Sequence, residues 1–200
     1  NKAADKKTVA DFRGDGLNHS PAEYANLLAR LTETGSIMPD NYSIGGCVEE
    51  LEIKFAKLLG KETAVFMPTG TLANHLAIRS LSGNNKRVIV QQESHVYNDT
   101  GDGTQVLSNL NLIPVGTNKA SFTVEEVDSV VKKSESGRVA AKVGVISIES
   151  PVRRKQGEVF EYEQMKQIAA YAKANDIKMH LDGARIFLAT PYTGVTVTEY

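Results

Sequence analysis

Between residues 87 and 182, short apolar runs alternate with stretches of helix length and helix periodicity, and this alternation constrains the fold more than any other feature. Val88-Ile89-Val90 is a continuous β-branched run and Val143 to Ile148 a largely apolar one, as expected of buried strands. Leu110 to Val115 is a weaker strand. Pro114 lacks the N–H that a central strand donates, which confines this one to a sheet edge or a strand end. Ile177 to Leu181 is a fourth strand. Thr123 and Glu126 form a capping box that opens a helix carrying Val127, Val130 and Val131, and a further helix covers Tyr162 to Ala174. Strands separated by helices of this length predict an α/β fold, with a mostly parallel sheet and helices on both faces. Ligands in such sheets bind at the carboxyl ends of the strands, so the residues just after each strand are the ones to inspect.

Upstream, the Gly-rich, polar stretch Asp11 to Asn18 reads as loop. Ser20-Pro21-Ala22-Glu23 is a helix start with a capping box and proline at the first helical position, and Leu27, Leu28 and Leu31 supply an apolar stripe. A polar loop runs from Thr34 to Gly46. A second helix shows Val48, Leu51, Phe55, Leu58 and Leu59 on one face, with Gly60 just past its end. Thr63 to Met67 is a short apolar run, Pro68-Thr69-Gly70-Thr71 a turn, and Leu72 to Leu81 a helix leaving it. The organisation expected is an N-terminal segment over 1–46 and a large domain over 47–200.

The net charge of -1 points to no nucleic-acid or membrane-surface partner. No apolar run approaches the ~20 residues that span a bilayer. The single cysteine, Cys47, cannot form an internal disulfide, which fits a reducing, cytoplasmic setting, with a processed exported form as the alternative.

Four strand ends hold candidate chemistry. Gly70 and two hydroxyls, Thr69 and Thr71, at a helix start make an anion site, because free N–H groups and the positive end of the helix dipole face outward there; the plainer reading is a helix cap. His95, in Glu93-Ser94-His95-Val96-Tyr97-Asn98, can stack on a flat ligand or move protons, or can be a satisfied loop residue. Asp182, in His180-Leu181-Asp182-Gly183-Ala184-Arg185, needs a cationic partner at a buried strand end. Arg185 can be that partner, and so can a protonated ligand nitrogen, which the small residues Gly183 and Ala184 let approach. Glu149-Ser150-Pro151 follows the strand at 143, and its loop runs through Arg153-Arg154-Lys155-Gln156-Gly157, a basic run of the kind usually found in solvated loops.

Taken in order, Asp11 to Asp15, Tyr42 to Gly46, Thr69 to Asn74, Ser94-His95, Glu149 to Gly157 and His180 to Arg185 resemble the threonine aldolases and related β-eliminating lyases. These are pyridoxal 5'-phosphate (PLP) enzymes of fold type I, aspartate aminotransferase-like. The resemblance covers almost the whole chain. It implies the large domain of that fold, truncated, and a PLP-dependent lyase that cleaves threonine or allo-threonine to glycine and an aldehyde. It implies that Gly70 and Thr71 hold the cofactor phosphate, that His95 stacks on the pyridine ring, that Asp182 pairs with its nitrogen and that Ala184 packs against its other face. Arg185 is implied to grip the substrate carboxylate, with Gly14 and Tyr42 also on the substrate side. His95 is a candidate for proton handling, a role a bound water can also fill.

The family's Schiff-base lysine is expected a few tens of residues beyond Arg185. The last lysine here is Lys178, so the chain is expected to be a fragment, inactive alone. Gly14 stands where threonine aldolases carry Ser, and Ser150-Pro151-Val152-Arg153 where they usually carry Asn, Thr, His and Asn. Two other activities stay open: a β-eliminating or C–S lyase on the same scaffold, and a non-catalytic PLP-fold binding protein. The resemblance further implies a homodimer or homotetramer, no metal, and a small amino acid as substrate.

Overall fold

Helices begin where their capping residues stand, and the structure, a computed structural model, describes residues 19–200. The loop expected at 11–18, with Gly14 in it, lies outside the described residues. The chain divides into two units, Asn1–Phe66 and Met67–Tyr200.

In the first unit, helix α1 spans Pro21–Glu33. Ser20 Oγ accepts the Glu23 N–H at 3.3 Å while Glu23 Oε2 accepts the Ser20 N–H at 2.7 Å, which is the reciprocal box read from the sequence. Helix α2 spans Cys47–Leu59 and stops at Gly60, whose φ of 63° is the left-handed turn that glycine adopts without penalty. The apolar run after it makes no strand. Phe66 donates its N–H to Glu52 Oε1 on α2 at 2.6 Å instead.

The second unit carries the sheet. Its elements in order are α3 (Gly70–Ser82), β1 (Arg87–Gln91), α4 (His95–Asn98), α5 (Gly103–Ser108), β2 (Asn111–Val115), α6 (Val124–Glu135), β3 (Val143–Glu149), a 3-10 turn (Arg153–Lys155), α7 (Tyr162–Ala174), β4 (Lys178–Asp182) and α8 (Ile186–Thr193). The strand order is β2-β1-β3-β4, and every pair is parallel. β2 sits at an edge, as Pro114 requires. The short helices α4 and α5, and α8 with Pro191 inside it, have no periodicity long enough to be read beforehand.

Alternate residues of the central strands enter two cores. Ile89, Ile146 and Ile148 pack with Val127, Val131, Phe160 and Ile168, from the side of α6 and α7. Val88, Val90 and Val145 pack with Ile78, Val96 and Leu110 on the opposite face. Burying both faces is what lets Val and Ile occupy successive positions in these strands, each such side chain contributing about 1.5–3 kcal/mol. Gly144 admits α3 against β3: a Cβ there would lie 2.9 Å from Asn85 Cβ and 3.0 Å from the Ser82 carbonyl oxygen. This close approach brings the first turn of α3 to the carboxyl ends of β3 and β4.

Candidate active site

The site starts from the N-terminus of α3. Thr69 caps it, its Oγ1 accepting the Leu72 N–H at 3.1 Å, and the Thr69 carbonyl accepts the Ala73 N–H. The N–H groups of Gly70 and Thr71 have no partner among the described residues, so two donors at the positive end of a 13-residue helix stay open. A Cβ on Gly70 would meet nothing within 4 Å, so the backbone there is accessible from outside. A cleft of about 240 Å³ opens beside this turn, lined by Thr69, Thr71, Asn74 and His75 and by Thr100 and Thr104 across from them. His95 and Asp182 are not among its walls.

Two side chains near the start of α3 reach two different strand ends. Thr71 Oγ1 lies 3.0 Å from His95 Nε2, just after β1. One turn on, Asn74 Nδ2 donates to Asp182 Oδ2 at 2.6 Å, at the end of β4. Both Asn74 and Asp182 are buried. The other carboxylate oxygen of Asp182 accepts the Ala184 N–H at 3.2 Å. The hydrogen bonds reaching Asp182 therefore come from a side-chain amide and a backbone amide. Ala184 itself is exposed, and Arg185 is half-buried at the N-cap of α8.

Glu149 stands beside Asp182 in the register of β3 and β4. Its carboxylate accepts the backbone N–H of His95 and, at 2.9 Å, that of Arg153. Burial pushes the Glu149 carboxyl above the usual carboxylate range. The two N–H donors pull the other way, and the nearby Asp182 charge adds to the rise. Gln91, fully buried, stitches the same ends together: its amide donates to the carbonyls of Ala120 and Glu149 at 2.8 Å and accepts the Glu149 N–H at 2.6 Å. His180 is turned onto Ser147 Oγ at 2.9 Å. Burial holds its imidazole below the ordinary histidine range, against the opposing pull of Asp182.

Thus Gly70, Thr71, His95 and Asp182 are joined through α3, and Ala184 and Arg185 stand two and three residues after Asp182. Tyr42 belongs to the first unit, 91% exposed with φ of 54°. Gly14 lies outside the described residues. Asn74, which ties Asp182 down, closes the Thr69 to Asn74 match but was assigned no role from sequence, and Asp99, whose Oδ2 lies 3.4 Å from His95 Nδ1, carried no signal of its own. Asn74 sits in α3 and Asp99 caps the C-terminus of α4, positions where Asn and Asp are ordinarily solvent-facing or capping residues. No group of three or more His, Cys, Asp or Glu among the described residues is placed to hold a metal ion. No described helix is long and apolar enough to cross a membrane.

Comparison with known proteins supplies a lineage for this arrangement. A low-specificity L-threonine aldolase of Candida albicans is 31% identical over 153 residues, 75% of this chain and 40% of that protein. The low specificity L-threonine aldolase of Escherichia coli K12 is 30% identical over 161 residues, 80% of this chain and 47% of that protein. The chain thus spans less than half the length of these curated relatives. A solved structure from Listeria monocytogenes, described as a candidate L-allo-threonine aldolase, superposes with a TM-score of 0.76 at 30% identity, covering 90% of this chain and 49% of that one. The Leishmania major threonine aldolase structure has the same fold, with a TM-score of 0.76 at 19% identity. The α/β architecture is that of the large domain of PLP fold type I. Residues 38–200, most of the chain, match the beta-eliminating lyase family, and the chain belongs to that family.

Proposed function

We propose that the protein of which this chain is part binds PLP at the start of α3 and cleaves β-hydroxy-α-amino acids such as threonine or allo-threonine to glycine and an aldehyde. The observation that carries the reading is the N-terminal end of α3, which offers two open N–H donors while holding His95 through Thr71 and Asp182 through Asn74.

The residues present fit the cofactor. Gly70 and Thr71 would receive its phosphate, since their N–H groups are open and no side chain crowds Gly70. Asp182 is fixed by its two amide donors and would face the pyridine nitrogen, which a neighbouring carboxylate keeps protonated. PLP, when bound, supplies the electron sink that allows a bond at the substrate α-carbon to break. Asn74 and the Ala184 N–H keep the Asp182 carboxylate from turning away from the site. Glu149 holds α4 by the His95 N–H and so sets where the imidazole stands. His95 would cover one ring face and Ala184 the other, and the imidazole can also accept or return a proton at Nε2. Arg185, following Ala184, would bind the substrate carboxylate through its planar fork.

Similarity to relatives described as low-specificity L-threonine aldolases supports aldol cleavage ahead of β-elimination. Leu72 and Leu107, which line the cleft, are exposed, as are Leu76 and Val106 on the same two helices, and this exposure supports self-association as a homodimer or homotetramer. The test is the full-length protein incubated with PLP and threonine. Glycine and acetaldehyde in equal amounts support the reading. Ammonia and a keto acid would replace it with β-elimination. A protein that gains no PLP absorbance, and is no different when Asp182→Ala is made, would end it.

A further inference from the structure

His95 opens α4 and Asp99 is its C-cap, four residues on, so the two side chains meet on one side of a single turn. The imidazole is held at both nitrogens by different parts of the chain: Nδ1 lies 3.4 Å from Asp99 Oδ2, and Nε2 lies 3.0 Å from Thr71 Oγ1. Asp99 is held in turn from the loop after β3. Arg153 Nη2 approaches its Oδ2 at 2.7 Å, and Arg154 Nη1 its Oδ1 at 3.3 Å. Arg154 also lies 3.7 Å from Glu93, on the approach to α4. The basic run of that loop, unremarkable in the sequence, thus converges on one carboxylate. Burial works against ionisation of Asp99, but the hydrogen bond and charge of Arg153, with smaller help from His95 and Arg154, hold its carboxyl below the usual range.

An ionised carboxylate only accepts, so the nitrogen facing it must carry the proton. In a neutral ring the other nitrogen is then the acceptor for the Thr71 hydroxyl. We propose that Asp99 is a positioning residue for His95: with Arg153 and Arg154 behind it, it fixes the ring's orientation and its Nδ1–H tautomer, leaving Nε2 turned to Thr71 at the start of α3. The proposal deepens the reading of His95 as the residue against the cofactor ring and takes its catalytic meaning from that reading. It acts as a second carboxylate acts on a catalytic or ligating imidazole, choosing which ring nitrogen is available.

The experiment is a long-range nitrogen–proton correlation spectrum of the full-length protein labelled with 15N-histidine, His95 being assigned by the signals lost in His95→Gln. In the wild type, Nδ1 is expected at the protonated shift and Nε2 at the unprotonated one. Asp99→Ala loses that pattern, while Asp99→Asn, whose amide oxygen still accepts, restores it; the signals of His75 and His180 stay in place in both. A merely structural Asp99 would not select a tautomer. An Asp99→Ala spectrum identical to wild type at His95, or an Nε2–H tautomer in the wild type itself, overturns the proposal, and the second outcome needs no variant to fold. PLP absorbance of the same samples tests the other reading separately. A tautomer that follows Asp99 in a protein that takes up no cofactor would sustain the positioning role and remove the enzymatic one.

Discussion

Asn74→Ala removes the side-chain donor that ties Asp182 to α3. The bond is short, 2.6 Å, and both residues are buried, so water cannot take the amide's place without opening the site. A hydrogen bond to a charged group contributes about 1.5–3 kcal/mol, and truncation leaves the Asp182 carboxylate with the longer 3.2 Å bond from Ala184. The expected loss is therefore about 2 kcal/mol of stability, from a change that deletes almost no apolar surface. The proper assay is a double-mutant cycle, because Asp182→Ala also leaves a partner unpaired. Urea unfolding of wild type, Asn74→Ala, Asp182→Ala and the double variant should return a coupling of about 1–2 kcal/mol, with the double variant little worse than either single one. A coupling within ~0.5 kcal/mol of zero would show that the two residues are independent, and the account of how α3 holds the strand end would be wrong.

Glu149 gives a pH dependence of definite sign. Its folded pKa is raised, so its contribution is fully present below the unfolded value of about 4.3 and is lost as pH rises through the folded one. The stability advantage of wild type over Glu149→Gln should grow as pH falls from 7 towards 4, measured by denaturant titration; a difference constant across that window would contradict the burial argument. Tyr171 donates its hydroxyl to Asp128 at 3.1 Å, and burial first, then that carboxylate, push it up to about 12. Its contribution holds below pH ~10 and fades as pH climbs through 12. The 295 nm absorbance lost in Tyr171→Phe should accordingly appear only at the top of an alkaline titration, and its appearance near pH 10 would refute the pairing. Gly144→Ala forces a methyl against the Ser82 carbonyl and Asn85, and should cost about 1–3 kcal/mol; an unchanged urea midpoint would mean that α3 can move away from β3 freely. Thr123→Ala deletes the acceptor for the Glu126 N–H and should cost ~1 kcal/mol, read the same way.

The sequence by itself determined the elements whose signals are local. Capping boxes at Ser20 and Thr123 involve residues three apart, Gly60 ends α2 by its own backbone freedom, and Pro114 places β2 at an edge because it lacks a donor. The Val- and Ile-rich runs of β1 and β3 announced a sheet covered on both faces, the strand-end rule led to His95 and Asp182, and the helix start at Gly70 led to Thr71, although no strand precedes it. Tertiary structure alone decided what those residues touch. Asn74 meets Asp182 across 108 positions, and His95 reaches Thr71 across 24. Arg153 closes on Asp99 across 54. Such pairs depend on the order β2-β1-β3-β4, the register of β3 on β4 and the close approach that Gly144 permits, all of them set by how whole elements pack. A carboxamide on a helix or a carboxylate at its end looks the same in sequence whether it faces water or a buried charge, because the energy that distinguishes the two exists only once the strand ends have been brought together.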